Sequence, residues 1–387
     1  MRRLLLVGYY GHGNFGDDLI LETLLCTLGD RFILSAVDNG HASCRQISAL
    51  EAEGRFKRIV IYTEQRPFLS KLNALFLAVQ MVAHGARQDV LAFGGGTQLF
   101  ETRKNGVLPL FSKALYVLML RWLFGVRIVH LFVGVNAPRT RLGKALLGLI
   151  LRNSDFLILR DARSLEQCRL LGVPTERLQL AADAVYLRDP PAQVPGLARP
   201  ATEGAPLLGI SIFPYFGRVE GNAAGDADYV CRLQRAVADL EARTGVRPRL
   251  RFIGSQISGN LNDTAYARSL ADLFADFDVD YIAYECDTDA HLARLAELDM
   301  VIAMRLHVLI SSVLVGVPNI SVLPYQAKVT EEARSLGLHA LLGAALPDWR
   351  PNEGLGDHRA ERAALNRSAL EVMFDRIWPA TALEAKE

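Results

Sequence analysis

The chain has 387 residues, half of which are hydrophobic, and its 43 Lys and Arg residues nearly match its 42 Asp and Glu residues. That length exceeds one ordinary hydrophobic core and predicts two domains. The balanced charge gives no indication of nucleic-acid binding, although a local basic patch stays open. The five cysteines are scattered and form no CxxC pair. Free thiols in a reducing compartment are therefore favoured over a disulfide or metal scaffold.

The first predicted element is a strand at Leu4–Val7, within the opening sequence MRRLLLVGYYGHG. Its apolar run is too short for a signal peptide, and we expect a cytoplasmic protein. Further apolar segments alternate with amphipathic stretches, which predicts a parallel sheet covered by helices on both faces. Those strands are predicted at Phe32–Val37, Arg58–Tyr62, Val90–Phe93, Ile128–Val133 and Phe156–Leu159, with helices at Leu19–Leu28 and Leu69–Ala83.

The most apolar region of the chain is Leu108–Val135. Three cationic residues interrupt it, so no charge-free run reaches the roughly 18 residues of a membrane-spanning helix. The pattern is typical of a buried helix, Pro109–Phe124, followed by a buried strand, Val126–Val133. The alternative is a helix that rests on the inner face of the membrane, which would suit a lipid-linked substrate.

A proline-rich stretch divides the chain in two. Residues 188–206 carry five prolines and little periodicity, as expected of a linker. Beyond it the alternation of strands and helices resumes. The strands are predicted at Leu208–Ile212, Arg249–Ile253, Tyr281–Tyr284, Met300–Ala303 and Asn319–Leu323, and the helices at Tyr229–Arg243 and Val308–Val315.

The predicted fold class is α/β, with two doubly wound, Rossmann-like domains that face a cleft. The N-terminal domain is expected at 1–187 and the C-terminal domain at 207–350, with a helical tail at 351–387 that could pack back on the N-terminal domain. Ligands of such sheets bind at the carboxyl ends of the strands, so we expect the site in the cleft.

The stretch GHGNFGDD follows the first strand. The G-x-G-x-x-G spacing of Gly11–Gly16, with Asp38 further along, matches the dinucleotide-binding fingerprint. However, Asp17 and Asp18 stand where the next helix begins, and two carboxylates there would repel a pyrophosphate. This disfavours a dinucleotide site. Asp17 is either a helix cap or a catalytic or binding residue.

Two further stretches place ligand-binding groups after buried strands. Gly94, Gly95 and Gly96 follow one strand and are joined by Thr97 and Gln98, either as an anion-binding nest or as a tight turn. Arg160 follows another strand, where it can bind phosphate or carboxylate or pair with Asp161 at the surface.

The segment Met300–Lys328 carries cationic groups where apolar elements end. Arg305 and His307 lie between an apolar strand and an apolar helix, and burying such groups needs a reason. The next strand delivers Lys328 to the same edge. With Arg160, these residues describe a site for a small, highly anionic substrate. The sequence contains no Cys/His cluster of metal-ligand spacing, no G-x-S-x-G elbow and no P-loop.

Taken together, these stretches resemble the polysaccharide pyruvyl transferase family. The matching blocks are GYYGHGNFGDD, FGGGTQLFE, RDARSLEQCRLLGV, AAD and MRLHVLISSVLVGVP followed by YQAKV, in the family's order. The resemblance implies a GT-B-like enzyme with catalytic Asp17, Arg160, His307 and Lys328. Residues expected to bind substrate are Arg305, Asn14, Gly94, Gly95, Gly96 and Gln98. Gln326 and Ala327 stand where the family commonly has Asp-Pro.

The activity implied is transfer of the pyruvyl group of phosphoenolpyruvate to a sugar hydroxyl as a ketal, with no cofactor and no metal. His307 would protonate the methylene carbon and Asp17 would deprotonate the sugar hydroxyl, and these roles could be exchanged. The expected partners are phosphoenolpyruvate and a saccharide acceptor, and not nucleic acid. The acceptor's identity, its lipid linkage, contact with the membrane and homo-oligomerisation stay open. The alternatives are a glycosyltransferase that uses a nucleotide sugar and a non-catalytic assembly factor.

Overall fold

The chain folds into two parallel β-sheets, each with helices on both faces. The computed structural model describes residues 1–38, 44–61, 70–97, 99, 101, 106–189, 204–257, 262–341, 347 and 349–378. The first sheet has the strand order β3-β2-β1-β4-β5-β6-β7, and the second has the order β10-β9-β8-β11-β12-β13. Both orders reverse next to the first strand of the sheet, as in doubly wound folds. The predicted α/β class is therefore confirmed.

The first sheet alternates strands with helices along the chain. Its strands are β1 (Arg2–Val7), β2 (Phe32–Asp38), β3 (Phe56–Val60), β4 (Val90–Gly94), β5 (Arg127–Val133), β6 (Phe156–Leu159) and β7 (Leu178–Leu180). Its helices are α1 (Phe15–Leu28), α2 (Arg45–Ala52), α3 (Ser70–Gly85), α4 (Leu108–Phe124), α5 (Arg141–Arg152) and α6 (Ala162–Leu170). The apolar strands are buried because α3 to α5 pack on one face while α1 and α2 cover the other.

The second sheet repeats this pattern. Its strands are β8 (Leu207–Ser211), β9 (Arg249–Ile253), β10 (Val279–Ile282), β11 (Met300–Ala303), β12 (Asn319–Val322) and β13 (His339–Ala340). Its helices are α7 (Ala223–Thr244), α8 (Asp263–Ser269), α9 (Thr288–Ala296), α10 (Leu306–Leu314) and α11 (Ala327–Ser335). The edge strands β7 and β13 are absent from the sequence-based predictions, and β3 begins before its predicted position.

The final helix, α12 (Leu355–Ile377), lies against the first sheet's half of the chain. Phe374 and Trp378 contact Phe32 at ring-centroid distances of 5.9 and 5.5 Å. Asn366 is fully buried, where its amide group accepts from the backbone N–H of Ala182 and donates to a backbone carbonyl. The chain therefore crosses back to its first sheet after completing the second.

The loop before α1 hydrogen-bonds to the second sheet's half of the chain. Phe15 N–H donates to Ser255 O at 2.9 Å, and Asn14 Nδ2 donates to Gln256 Oε1 at 2.6 Å. On α1 itself, Asp18 accepts a hydrogen bond from the Tyr284 hydroxyl at 2.6 Å. These contacts hold the carboxyl edges of the two sheets against one another.

The apolar segment around α4 packs its inner face on the first sheet, as predicted, but its outer face is exposed. Trp122 keeps 71% of its surface accessible, and Phe111 is also exposed. None of the helices in the described part of the chain combines the length and apolar character needed to cross a membrane.

Candidate active site

Residues from both sheets line a cavity of about 550 Å³ in the cleft. The carboxyl ends of parallel strands meet at one edge of a sheet, so residues far apart in the sequence come together here. The predicted site residues that line the cavity are Asp17, Arg160, Arg305, His307, Lys328, Asn14 and Gly96. The whole predicted set of catalytic residues therefore lies around a common space.

Asn14 shapes the beginning of α1. Its Oδ1 accepts hydrogen bonds from the backbone N–H groups of Gly16 and Asp17, at 3.0 and 3.2 Å, and so caps the helix. Because Asn14 serves as the cap, Asp17 is not needed for that role. Asp17 instead faces the cavity.

Gly16 leaves room for the imidazole ring of His307. A Cβ atom at position 16 would lie 1.9 Å from His307 Nδ1, so any side chain there would have to displace the ring. Glycine at this position of the apparent dinucleotide fingerprint therefore has another explanation. It lets the ring of His307, on α10, pack against the backbone at the start of α1.

Asp183 is buried next to two of the predicted catalytic residues, Arg160 and His307. Its Oδ2 accepts from Arg160 Nη1 at 3.0 Å and lies 3.6 Å from His307 Nε2. Burial raises the pKa of Asp183, but His307 and Arg160 outweigh it and hold that pKa well below its ordinary value. Asp183 is therefore a buried anion that holds Arg160 by a hydrogen bond and lies beside the His307 ring.

Arg160 and Arg305 are each fixed by a carboxylate. Arg160 also donates to Thr97 Oγ1 at 3.0 Å. Arg305 binds Asp263 through Nε and Nη2, at 3.1 and 2.5 Å, and its guanidinium lies 3.6 Å from the centre of the Phe213 ring. Such pairing keeps a guanidinium in a defined orientation before any ligand arrives.

Asp17 and Lys328 have perturbed acidities. Burial raises the pKa of Asp17 to about 6, against the opposing effect of the surrounding cationic groups. Burial, with the nearby Arg160 and Arg305, lowers the pKa of Lys328 to about 8. Both groups can therefore change protonation state near neutral pH, a property common in catalytic sites.

Two of the helices that start at the cavity have no side-chain cap. The N-cap residues of α10 and α11, Arg305 and Gln326, make no capping hydrogen bond, and the Gln326 amide instead donates to the Tyr215 hydroxyl at 2.8 Å. The first backbone N–H groups and the positive end of each helix dipole are therefore free of a capping carboxylate or amide. Gln326, which departs from the family pattern, lies directly beside the predicted Lys328.

The three-glycine loop contributes less to the cavity than the sequence predicts. Gly96 lines it, with φ of 67°. Gly95 donates its N–H to Leu131 O at 2.7 Å, and Gly94 accepts from the Tyr10 hydroxyl, so both are engaged within the protein. Gln98, predicted to bind substrate, lies outside the described residues.

An apolar arm extends the cavity between the first sheet and helices α3 and α4. Its lining residues are Val7, Val37, Ile61, Leu77, Met81, Pro109 and Tyr116. Lys113 lies among them, and burial lowers its pKa to about 8. The cavity thus combines a strongly cationic end with an apolar arm that holds one amine.

The sequence-based site misses Asp183 and Asp263. Asp183 belongs to the AAD block that matched the family, and this block was the available indication. Asp263 begins α8 and resembles an ordinary first-turn aspartate. Among the described residues, no group of three or more His, Cys, Asp or Glu side chains is arranged to hold a metal ion.

Three solved structures have a similar fold, and two of them are described as holding bound UDP or UDP-GlcNAc. Anabaena Alr3699/HepE in complex with UDP shares 13% identity over 97% of this chain and 95% of that one, with a TM-score of 0.53. UDP-GlcNAc 2-epimerase from Neisseria meningitidis bound to UDP-GlcNAc shares 9% identity over 97% and 100%, with a TM-score of 0.56. A glycosyltransferase from Rickettsia africae ESF-5 shares 11% over 98% and 100%, with a TM-score of 0.55. At such identities the likeness shows the fold alone, and the predicted GT-B-like architecture is confirmed.

No curated protein sequence matches the chain. The model of the family described as polysaccharide pyruvyl transferase matches residues 14–326. That range begins at the helix cap Asn14 and includes Asp17, Arg160, Asp183 and His307. It covers most of both sheets. The chain belongs to the polysaccharide pyruvyl transferase family.

Proposed function

We propose that this protein transfers the pyruvyl group of phosphoenolpyruvate to a saccharide, forming a ketal and releasing phosphate. The observation that carries the proposal is the cationic end of the cavity. Arg160, Arg305, His307 and Lys328 surround one acid, Asp17, whose pKa is near neutrality. A donor with a carboxylate and a phosphate needs several fixed cations, and the reaction needs an acid and a base.

The donor would bind across the cationic end. Arg305 and Arg160, held by Asp263 and Asp183, present guanidinium groups that fit carboxylate and phosphate oxygens. The uncapped starts of α10 and α11 add backbone donors and a favourable dipole for the same anion. Lys328 would become fully protonated beside a bound phosphate, because a nearby anion raises the pKa of an amine.

The proton steps assign His307 as acid and Asp17 as base. The Asp183 carboxylate lies 3.6 Å from His307 Nε2, and His307 would deliver a proton to the methylene carbon and make C2 electrophilic. Asp17 would accept the proton of the first sugar hydroxyl as its oxygen bonds to C2. Removal of a proton at neutral pH suits a carboxylate with a pKa of about 6.

The second hydroxyl closes the ketal. Its oxygen bonds to C2 as the C2–O bond to phosphate breaks, and its proton returns to His307. The proton on Asp17 passes to the departing phosphate, which leaves as hydrogen phosphate. Both protein groups are then restored: the proton of the second hydroxyl replaces the one that His307 gave to the methyl group, and the proton of the first hydroxyl leaves on phosphate.

The acceptor is proposed to be a lipid-linked saccharide. The apolar arm of the cavity suits an apolar chain, and Lys113 within it suits the phosphate that joins such a chain to a sugar. The position of this arm leads from the cationic end toward α3 and α4. A free polar oligosaccharide would leave these apolar walls without a function.

The test measures phosphate release from phosphoenolpyruvate in the presence of saccharide acceptors, with thermal shifts against UDP- and GDP-sugars as the comparison. Phosphoenolpyruvate should stabilise the fold by about 2.7 kcal/mol at a hundred times its Kd. Nucleotide sugars should not shift the melting temperature. Stabilisation by a nucleotide sugar, without phosphoenolpyruvate-dependent phosphate release, would identify a glycosyltransferase instead.

Arg305→Ala should raise KM for phosphoenolpyruvate by about 100-fold, with a smaller change in kcat, because it removes a fixed guanidinium from donor binding. Steady-state kinetics with each substrate varied in turn measure this effect. Arg268→Ala is the control, since that guanidinium lies over Tyr281 away from the cavity. A defect confined to KM for the acceptor would contradict the assignment of Arg305 to the donor.

Gly16→Ala should lower kcat by about 100-fold or more, because the new methyl group must displace the His307 ring from the geometry that the reaction needs. Gly54→Ala is the control, because a Cβ atom there meets no atom within 4 Å. Since the φ of Gly54 is 72°, this variant introduces backbone strain without a steric clash. Melting temperatures separate misfolding from misplacement. Wild-type kcat in Gly16→Ala would show that the ring position is not critical.

A further inference from the structure

Helices α3 and α4 present apolar residues to solvent as well as to the protein core. On α3, Leu75, Phe76 and Val79 lie on one exposed face, while residues of the opposite face pack on the sheet. On α4, Phe111, Trp122, Leu123 and Phe124 are exposed, while Leu115 packs against the core. Exposed apolar residues on two helices that pack against each other mark an interaction site.

The charge on helices α3, α4 and α5 is one-sided. The sequences of α3, α4 and α5 contain no Asp or Glu, whereas the whole chain has nearly equal numbers of acidic and basic residues. On α5, Arg141 and Lys144 are exposed beside the exposed Leu142. At the end of α4, Arg121 pairs with Asp155 at 2.7 Å, so that nearby carboxylate is already neutralised.

We propose that this outer face of α3, α4 and α5 binds the surface of an anionic lipid bilayer. Apolar and aromatic side chains of an amphipathic layer enter the interface while basic residues contact the anionic head groups. The exposed Trp122 fits this position, since tryptophan is enriched at membrane interfaces. A protein partner is the poorer match, because protein interfaces are depleted in Lys as well as in Asp and Glu, whereas this face lacks only the acidic residues and keeps Lys144 exposed.

The geometry relates this face to the cleft. Pro109 and Lys113 of α4 line the cavity, while Phe111, between them in sequence, is exposed on the outer side. Docking through this face would therefore bring the apolar arm of the cavity next to the bilayer. The inference itself does not depend on the identity of the donor, because it concerns binding of the protein to lipid and not turnover.

The test is co-sedimentation of the full chain with vesicles of phosphatidylcholine, with and without phosphatidylglycerol. The wild type should bind the anionic vesicles at least about tenfold more tightly than the neutral ones, and high salt should weaken that binding. The double variant Phe76→Glu/Trp122→Glu should reduce binding to anionic vesicles by about tenfold or more. The matched control is Leu170→Glu on α6, because Leu170 is 70% exposed and Trp122 is 71% exposed.

The outcomes separate the occupants of the face. Loss of vesicle binding in the double variant, with wild-type binding by Leu170→Glu and unchanged melting temperatures, supports the bilayer. Three results overturn the proposal: no binding of the wild type to anionic vesicles, equal losses in both variants, or self-association that the double variant abolishes in the absence of lipid. Because vesicle binding is measured without substrates, its failure leaves the proposed transfer reaction standing.

Discussion

Replacing His307 with alanine should lower kcat by about 10³-fold or more while leaving the protein folded, because a positioned acid contributes about 10²- to 10⁴-fold to such a reaction. The ring joins the two sheets' site residues: Nε2 faces Asp183 and Nδ1 lies against Gly16. Asp183 keeps its partner Arg160 in the variant, so the buried carboxylate is not left alone. Phosphate release under saturating substrate measures the effect.

The control for this variant is His358→Ala. His358 lies on α12, where its Nδ1 is 3.6 Å from the exposed Glu361 carboxylate. Its replacement should leave kcat and the melting temperature unchanged. If His307→Ala retained the wild-type kcat, His307 would have no part in the chemistry, and Lys328 would become the candidate proton donor.

The interior strands of the two sheets could be predicted because burial on both faces leaves a readable pattern. Phe156–Leu159 and Met300–Ala303 are near-continuous apolar runs, and the structure gives them those bounds. The edge strands Leu178–Leu180 and His339–Ala340 could not be predicted in this way. They are two or three residues long and only partly buried, so their sequences carry no periodicity.

The cationic residues of the site could be predicted for a related reason. Arg305 and His307 interrupt an apolar segment, and a charge at a buried strand end is costly unless something uses it. The carboxylates that hold them carry no such mark. Asp183 resembles an ordinary helix cap and Asp263 an ordinary first-turn aspartate, and only the fold shows that they face Arg160 and Arg305.

The sequence also could not separate the roles of Asp17 and Asp18. Consecutive helical residues point about 100° apart, so one carboxylate faces the cavity while the other turns toward the second sheet. Asp18 is buried, and its partner is the Tyr284 hydroxyl. The two aspartates that disfavour a dinucleotide site therefore have different roles: Asp17 is the candidate base, and Asp18 makes a contact between the two halves of the chain.

Replacing Asp17 with asparagine should lower kcat by about 10³-fold, because the amide cannot accept the proton of the sugar hydroxyl. The wild-type enzyme should lose kcat/KM as the pH falls below about 6, where Asp17 becomes protonated. In Asp17→Asn that acidic limb should disappear from the residual activity. A retained limb near pH 6 in the variant would assign it to another group.

Asp18→Asn is the matched control one residue further along α1. The new amide oxygen can still accept from Tyr284, so kcat should stay within about threefold of the wild type.

Burial raises the pKa of Asp18 to about 7, with the Tyr284 hydrogen bond opposing it. A carboxyl group with a raised pKa in the folded state favours folding only when protonated, so its ionisation lowers the free energy of unfolding as the pH rises toward 7. Asp18→Asn should remove that loss, and its melting temperature at pH above 7 should therefore equal or exceed that of the wild type. Equal loss of kcat in the two variants would mean that the carboxylates at the start of α1 act through the fold, and Asp17 would no longer be the candidate base.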